Sequence, residues 1–194
     1  MGLDRSVNIW GLETKYAAAA PAPVLTDGRV IEGYASLFGI ADQGGDVVRR
    51  GAYAAGLARI AVAGGKVRML WQHDPAAPIG VWDEIAEDER GLRVRGRLLT
   101  EVARAREAAA LVEAGAIEGL SIGYRTVRAE RDGKGRRMLT EVELWEVSLV
   151  TFPMLPEARL AATKAAPAPE GAAAAGDAAL AAIFAGAAAA LKAP

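Results

Sequence analysis

The chain holds one histidine, His73, and no cysteine. Imidazole is the side chain best suited to general-base work near neutral pH, so any such mechanism within this chain must use His73. Sites built from two histidines, thiolate zinc sites, disulfides and cysteine nucleophiles are excluded. His73 follows the alternating segment Lys66 to Gln72 and shares parity with Val67, Met69 and Trp71. If that strand continues, the imidazole points with the apolar set, as a satisfied structural residue or as a base. Asp74 then points elsewhere and, with Pro75, begins a turn.

Ser121 lies in Gly119-Leu-Ser-Ile-Gly123, which matches the G-x-S-x-G nucleophile pattern. The α/β-hydrolase context of that pattern is missing. A helix precedes the serine and a strand follows it, and the only histidine is upstream, whereas that family places its histidine after the serine. Leu120, Ile122 and Tyr124 form an apolar row with Ser121 on the opposite face. The flanking glycines leave room for a peptide backbone to approach the hydroxyl. An ordinary strand serine is the plainer alternative.

Glu146 is the third candidate. In Met138 to Val150 the residues Met138, Val142, Leu144 and Val150 share an apolar row that Glu146 and Ser148 interrupt. Trp145, Val147 and Leu149 are apolar too, so this half of the strand reads as buried on both faces. A buried carboxylate needs a partner. An imidazole N–H would serve, with the carboxylate fixing the tautomer. Arg68 or Arg125 would serve equally. Glu141 and Glu143 read as solvated.

The elements around these residues are mostly strands: Val30 to Phe38, Lys66 to Gln72, Leu92 to Leu98, Ile117 to Ala129 and Met138 to Phe152. Asp132-Gly133 and Gly135 mark a hairpin turn. Glu101 to Ala114 reads as a helix, with Thr100 as a possible N-cap and Gly115 at the C′ position. Arg93, Arg95 and Arg97 fall on a solvated strand face. The expected fold is α+β, mainly antiparallel β, with a closed or nearly closed barrel flanked by helices. Residues 1–25 read as a weakly ordered leader and 26–163 as the folded domain. Residues 164–194 form an Ala/Pro-rich linker leading to a C-terminal helix or tail, about Ala178 to Lys192.

The 194 residues carry a net charge of −1, which argues against holding nucleic acid by bulk charge. No segment reads as a signal peptide or a membrane span. Gly2 with Ser6 fits a permissive myristoylation pattern that is mostly met by chance. The acidic residues show no calcium-loop or carboxylate-metal spacing, so neither metal nor cofactor is expected.

Six segments, in order, resemble the prohead (capsid maturation) proteases of tailed bacteriophages and gene transfer agents, a family that resembles herpesvirus assemblin. They are Gly33-Tyr-Ala-Ser-Leu-Phe-Gly39, Gly45-Asp-Val-Val-Arg-Arg-Gly-Ala-Tyr53, Trp71-Gln-His-Asp74 with Ile79-Gly80, Gly91-Leu-Arg-Val-Arg-Gly96, Gly115-Ala-Ile-Glu-Gly-Leu-Ser-Ile-Gly-Tyr124 and Trp145-Glu-Val-Ser-Leu-Val-Thr-Phe-Pro153. They cover about residues 30 to 160. The resemblance implies an assemblin-like fold and a serine endopeptidase with His73 as base, Ser121 as nucleophile and Glu146 as the third catalytic residue. Assemblin has a second histidine at that third place. After the last strand the phage family often has Pro-Ala-Asn, where this chain has Pro153-Met-Leu, so no oxyanion donor is assigned.

The implied substrates are the scaffolding segment of the major capsid protein and the protease's own tails. The implied location is the procapsid in the bacterial host cytoplasm, with self-association as in assemblin and no nucleic-acid or membrane partner. The tail helix would dock the enzyme on capsid protein before its removal. The competing expectations are a non-enzymatic scaffold or capsid-assembly module of the same fold, and a hydrolase of non-peptide esters.

Overall fold

The computed structural model describes residues 12–16, 22–42 and 44–151. The expected tail helix and the Pro153-Met-Leu segment lie outside them. Nine strands and two helices follow in the order β1 (Glu13–Tyr16), β2 (Val24–Thr26), β3 (Val30–Leu37), β4 (Asp46–Val48), α1 (Ala54–Val62), β5 (Arg68–Trp71), β6 (Asp74–Glu87), β7 (Gly91–Leu98), α2 (Ala103–Glu113), β8 (Gly119–Arg131) and β9 (Arg137–Val150).

All nine strands join one sheet. Its hydrogen-bonded order is β1-β8-β9-β5-β6-β7-β3-β2, with β4 added to β9. Every ladder is antiparallel except β4–β9 and β5–β9. The fold is therefore mainly antiparallel β with few helices, as expected. Closure of a barrel is not shown: the path ends at β1 and β2, and no ladder joins those two among the described residues.

Alternation builds the core. Along β7, Leu92, Val94 and Leu98 are buried while Arg95 and Arg97 are exposed. The arginine face is solvated and studded with acids: Arg93 pairs with Glu32 and Arg97 with Asp83. Ile31, Met69, Ile79, Ile122, Val147 and Leu149 join the same apolar cluster. Burying each such side chain contributes roughly 1.5–3 kcal/mol before entropy is counted. The helix α1 packs on β9 so closely that a Cβ on Gly56 would stand 2.7 Å from the Val142 carbonyl oxygen. The helix α2 buries Ala105, Ala108, Ala109 and Val112.

Local differences from the sequence reading have physical reasons. Thr100 is not the cap of α2: the N-cap is Val102, without a side-chain cap bond, while Gly115 does take the left-handed C′ conformation at φ 70°. The strand β6 contains Pro75 and Pro78, which argue against a strand. It tolerates them because its register with β5 shifts beside them, between Met69 and Trp71. The strand β1 falls inside the segment expected as a weakly ordered leader. It pairs with β8 over Glu13–Tyr16.

Candidate active site

The site is built on three neighbouring strands, β8, β9 and β5. Ser148 of β9 is opposite Ser121 of β8 on one side and Leu70 of β5 on the other. Two residues earlier on β9, Glu146 is opposite Gly123 and Arg68. Residues paired across a ladder project from the same face, as do residues two apart along a strand. Ser121, Gly123, Glu146 and Ser148 therefore share one face.

His73 reaches that face from a tight turn. The strand β5 does not continue through it. Trp71 pairs with Asp74, so Gln72 and His73 form a two-residue hairpin loop, and Asp74 opens β6 rather than a turn. Both loop residues have positive φ, 53° for Gln72 and 61° for His73. That is the type I′ geometry, for which Asn-Gly is the usual solution. A non-glycine residue there costs roughly 1–2 kcal/mol. The surroundings hold it in place. Gln72 N–H donates to the Leu149 carbonyl at 3.0 Å, Gln72 Nε2 donates to Thr151 Oγ1 at 2.5 Å, and His73 N–H donates to Ser148 Oγ at 3.2 Å. Strain retained at such a position is characteristic of a functional residue.

The His73 ring is joined to Glu146, with Nδ1 2.6 Å from Oε1. Glu146 is 4 % exposed, and its second oxygen, Oε2, accepts a hydrogen bond from Ser148 Oγ at 2.5 Å. Each oxygen of the buried carboxylate is thus engaged, which meets the cost of its desolvation. A carboxylate at Nδ1 selects the tautomer with the proton there. Nε2, buried on the other side of the ring, becomes the position that can take a proton. The two arginines considered as partners of Glu146 are elsewhere. Arg125 is 3.7 Å from Glu143 and stacks over Trp145, and Arg68 is exposed. Trp145, expected to be buried, is 44 % exposed under that guanidinium.

Ser121 is 0 % exposed. Its hydroxyl donates to the main-chain carbonyl of Lys15 at 3.1 Å, because β1 lies along β8 with Tyr16 at the register of Ser121. The structure therefore brings the three sequence candidates onto one patch: Glu146 touches His73, and Ser121 faces the serine that supports both. Sequence reasoning noted Ser148 only as a break in an apolar row and gave Gly123 only as room beside Ser121. Gly123 is where Glu146 needs space. A Cβ there would lie 2.8 Å from Glu146 Cδ and 2.9 Å from Cγ, and closer still to Oε1.

A charged cluster anchors β1 through Glu13 and Lys15, which are in register with Tyr124 and Ile122 on the face opposite Ser121. Lys15, 3 % exposed, donates to Asp42 Oδ2 and to the Asp46 carbonyl, both at 2.8 Å. Arg137 donates to Glu13 Oε2 at 2.6 Å and to Asp46 Oδ2 at 2.8 Å, and Thr126 Oγ1 donates to Glu13 Oε1 at 2.5 Å. Hydrogen bonding to Glu13 and the nearby Asp46 charge raise the Arg137 pKa despite the opposing effect of burial.

Comparison with known proteins gives three findings. The model of the caudovirus prohead serine proteases matches residues 17–169. The prohead protease of Enterobacteria phage HK97 is 36 % identical over 138 residues, covering 70 % of this chain and 60 % of that protein. The chain thus spans somewhat under two thirds of that relative. The structure of the bacteriophage T4 capsid assembly protease superposes with a TM-score of 0.53 at 16 % identity, covering 71 % of this chain and 94 % of that one, which is a likeness of fold.

Proposed function

The chain belongs to the caudovirus prohead serine protease family, and on that premise we propose that it is a serine endopeptidase that matures a phage-like procapsid. Its substrates are the scaffolding segment of the major capsid protein and the protease itself, and it acts inside the procapsid in the bacterial host. The protease domain takes in β1 and β2, which begin before the expected boundary at residue 26, and 164–194 are the linker and tail. The relation to assemblin, barrel closure and self-association belong to the same proposal.

The observation that carries the reading is the His73–Glu146 pair, 2.6 Å apart, on the face that bears Ser121. In this mechanism His73 Nε2 takes the Ser121 proton as Oγ attacks the peptide carbonyl. The imidazolium formed is stabilised by Glu146 and returns its proton to the leaving amine. Water, activated by the same nitrogen, then hydrolyses the acyl-enzyme and restores Ser121.

Co-expression with the cognate major capsid protein tests it. Wild type shortens the capsid protein; Ser121→Ala and His73→Ala leave it at full length while remaining folded. Shortening that survives Ser121→Ala would overturn the mechanism. A folded wild type that never shortens its partner would favour the non-enzymatic assembly module.

A further inference from the structure

The strand β1 occupies the place where a substrate backbone must lie. It runs antiparallel to β8, pairing Glu13–Tyr16 with Tyr124–Ser121. It sets a main-chain carbonyl, that of Lys15, 3.1 Å from Ser121 Oγ. A scissile carbonyl must approach the same hydroxyl. The hydroxyl proton is spent on Lys15 O, which directs it away from a base, and the serine is wholly buried. The strand is four residues long and ends the sheet among the described residues, so its removal would turn β8 into an edge open to β-strand addition.

Polar clamps hold β1 in this seat. Lys15 is tied to Asp42 and to the Asp46 carbonyl, and Glu13 to Arg137 and Thr126. Asp42 precedes β4, Asp46 lies on β4, Thr126 on β8 and Arg137 on β9, whereas the His73–Glu146 pair joins the β5–β6 turn to β9, so release of β1 leaves that pair in place.

We infer that β1 is an internal plug of the peptide-binding edge of β8, and that an extended substrate segment enters antiparallel along Ser121–Tyr124 only when β1 leaves. This regulates the site assigned above and rests on that reading. Activity is held back in the isolated chain and rises when β1 is drawn off.

The test uses the full chain and an alkyl fluorophosphonate, which labels an activated serine. Glu13→Gln weakens one clamp, and Thr14→Pro interrupts β1 while His73, Ser121 and Glu146 keep their own side chains. Both variants should label at Ser121 about tenfold or more faster than wild type, the factor expected when one or two hydrogen bonds no longer favour the plugged state. A synthetic peptide of residues 10–18 added in trans should slow labelling of Thr14→Pro. Circular dichroism confirms that each variant is folded. Wild type labelling as fast as both folded variants overturns the plug while leaving Ser121 the nucleophile. No labelling of Ser121 in any folded variant overturns the protease reading itself, and the plug with it.

Discussion

Gly123 and Glu146 face each other across the β8–β9 ladder, and the carboxylate of Glu146 fills the space that a side chain on Gly123 would need. Gly123 lacks the positive φ that only glycine adopts easily, so the backbone itself would accept alanine. What forbids it is the carboxylate, which cannot retreat without leaving His73 or Ser148.

Gly123→Ala should therefore keep the fold and lose most activity, by about 10² or more, since an ångström of misplacement in such a group has that effect. A double-mutant cycle checks the cause. In a Glu146→Ala background the added methyl group has room, so Gly123→Ala should cost little further activity. Additive losses would place its effect elsewhere.

Glu146→Gln keeps the shape and removes the charge. The amide can no longer stabilise an imidazolium, and its NH₂ group offers Nδ1 a donor, which favours the wrong tautomer. The expected fall in kcat is about 10³–10⁴, with KM for a capsid-derived peptide little changed. Steady-state kinetics on a fluorogenic peptide, alongside a thermal melt to confirm folding, would measure it.

Ser148 links the two halves of the base. It accepts the His73 N–H and donates to Glu146 Oε2, and it stands directly across from Ser121. Ser148→Ala leaves Glu146 Oε2 buried with no donor and frees one side of the strained His73 turn. We expect kcat to fall about 10–10²-fold, corresponding to roughly 1.5–3 kcal/mol for a hydrogen bond to a charged group, with KM held. A rise in KM at constant kcat would mean that Ser148 serves substrate binding instead.

The candidate site was legible because its chemistry is scarce. One histidine left one base, and a carboxylate in a strand apolar on both sides required a partner. What sequence could not supply was the turn. Periodicity carried β5 on through His73, whereas the type I′ loop at Gln72-His73 is fixed by distant groups, Leu149, Thr151 and Ser148. The same applies to β1. Four residues beside an alanine run carry little local signal, and its order comes from Arg137, Asp42 and Asp46, far along the chain. The strand β6 was hidden by its prolines, which only the register shift against β5 makes tolerable.

The clamp on β1 has a definite pH dependence. Burial pushes the Glu13 carboxyl up, but hydrogen bonds from Arg137 and Thr126 and the guanidinium charge outweigh it, so it titrates below its ordinary 4.5. A carboxylate more acidic in the folded chain than in the unfolded one binds fewer protons when folded. Its contribution to stability is complete above the ordinary value and is lost as pH falls through the lower, folded value. The urea midpoint of wild type should thus exceed that of Glu13→Gln by a constant margin from about pH 8 to about pH 5, and the margin should shrink below about pH 4. Every other ionisable group is present in both proteins, so the difference isolates Glu13 to first order. A margin that persists unchanged to about pH 3 would mean that shape and hydrogen bonding at residue 13, rather than its charge against Arg137, hold β1 in place.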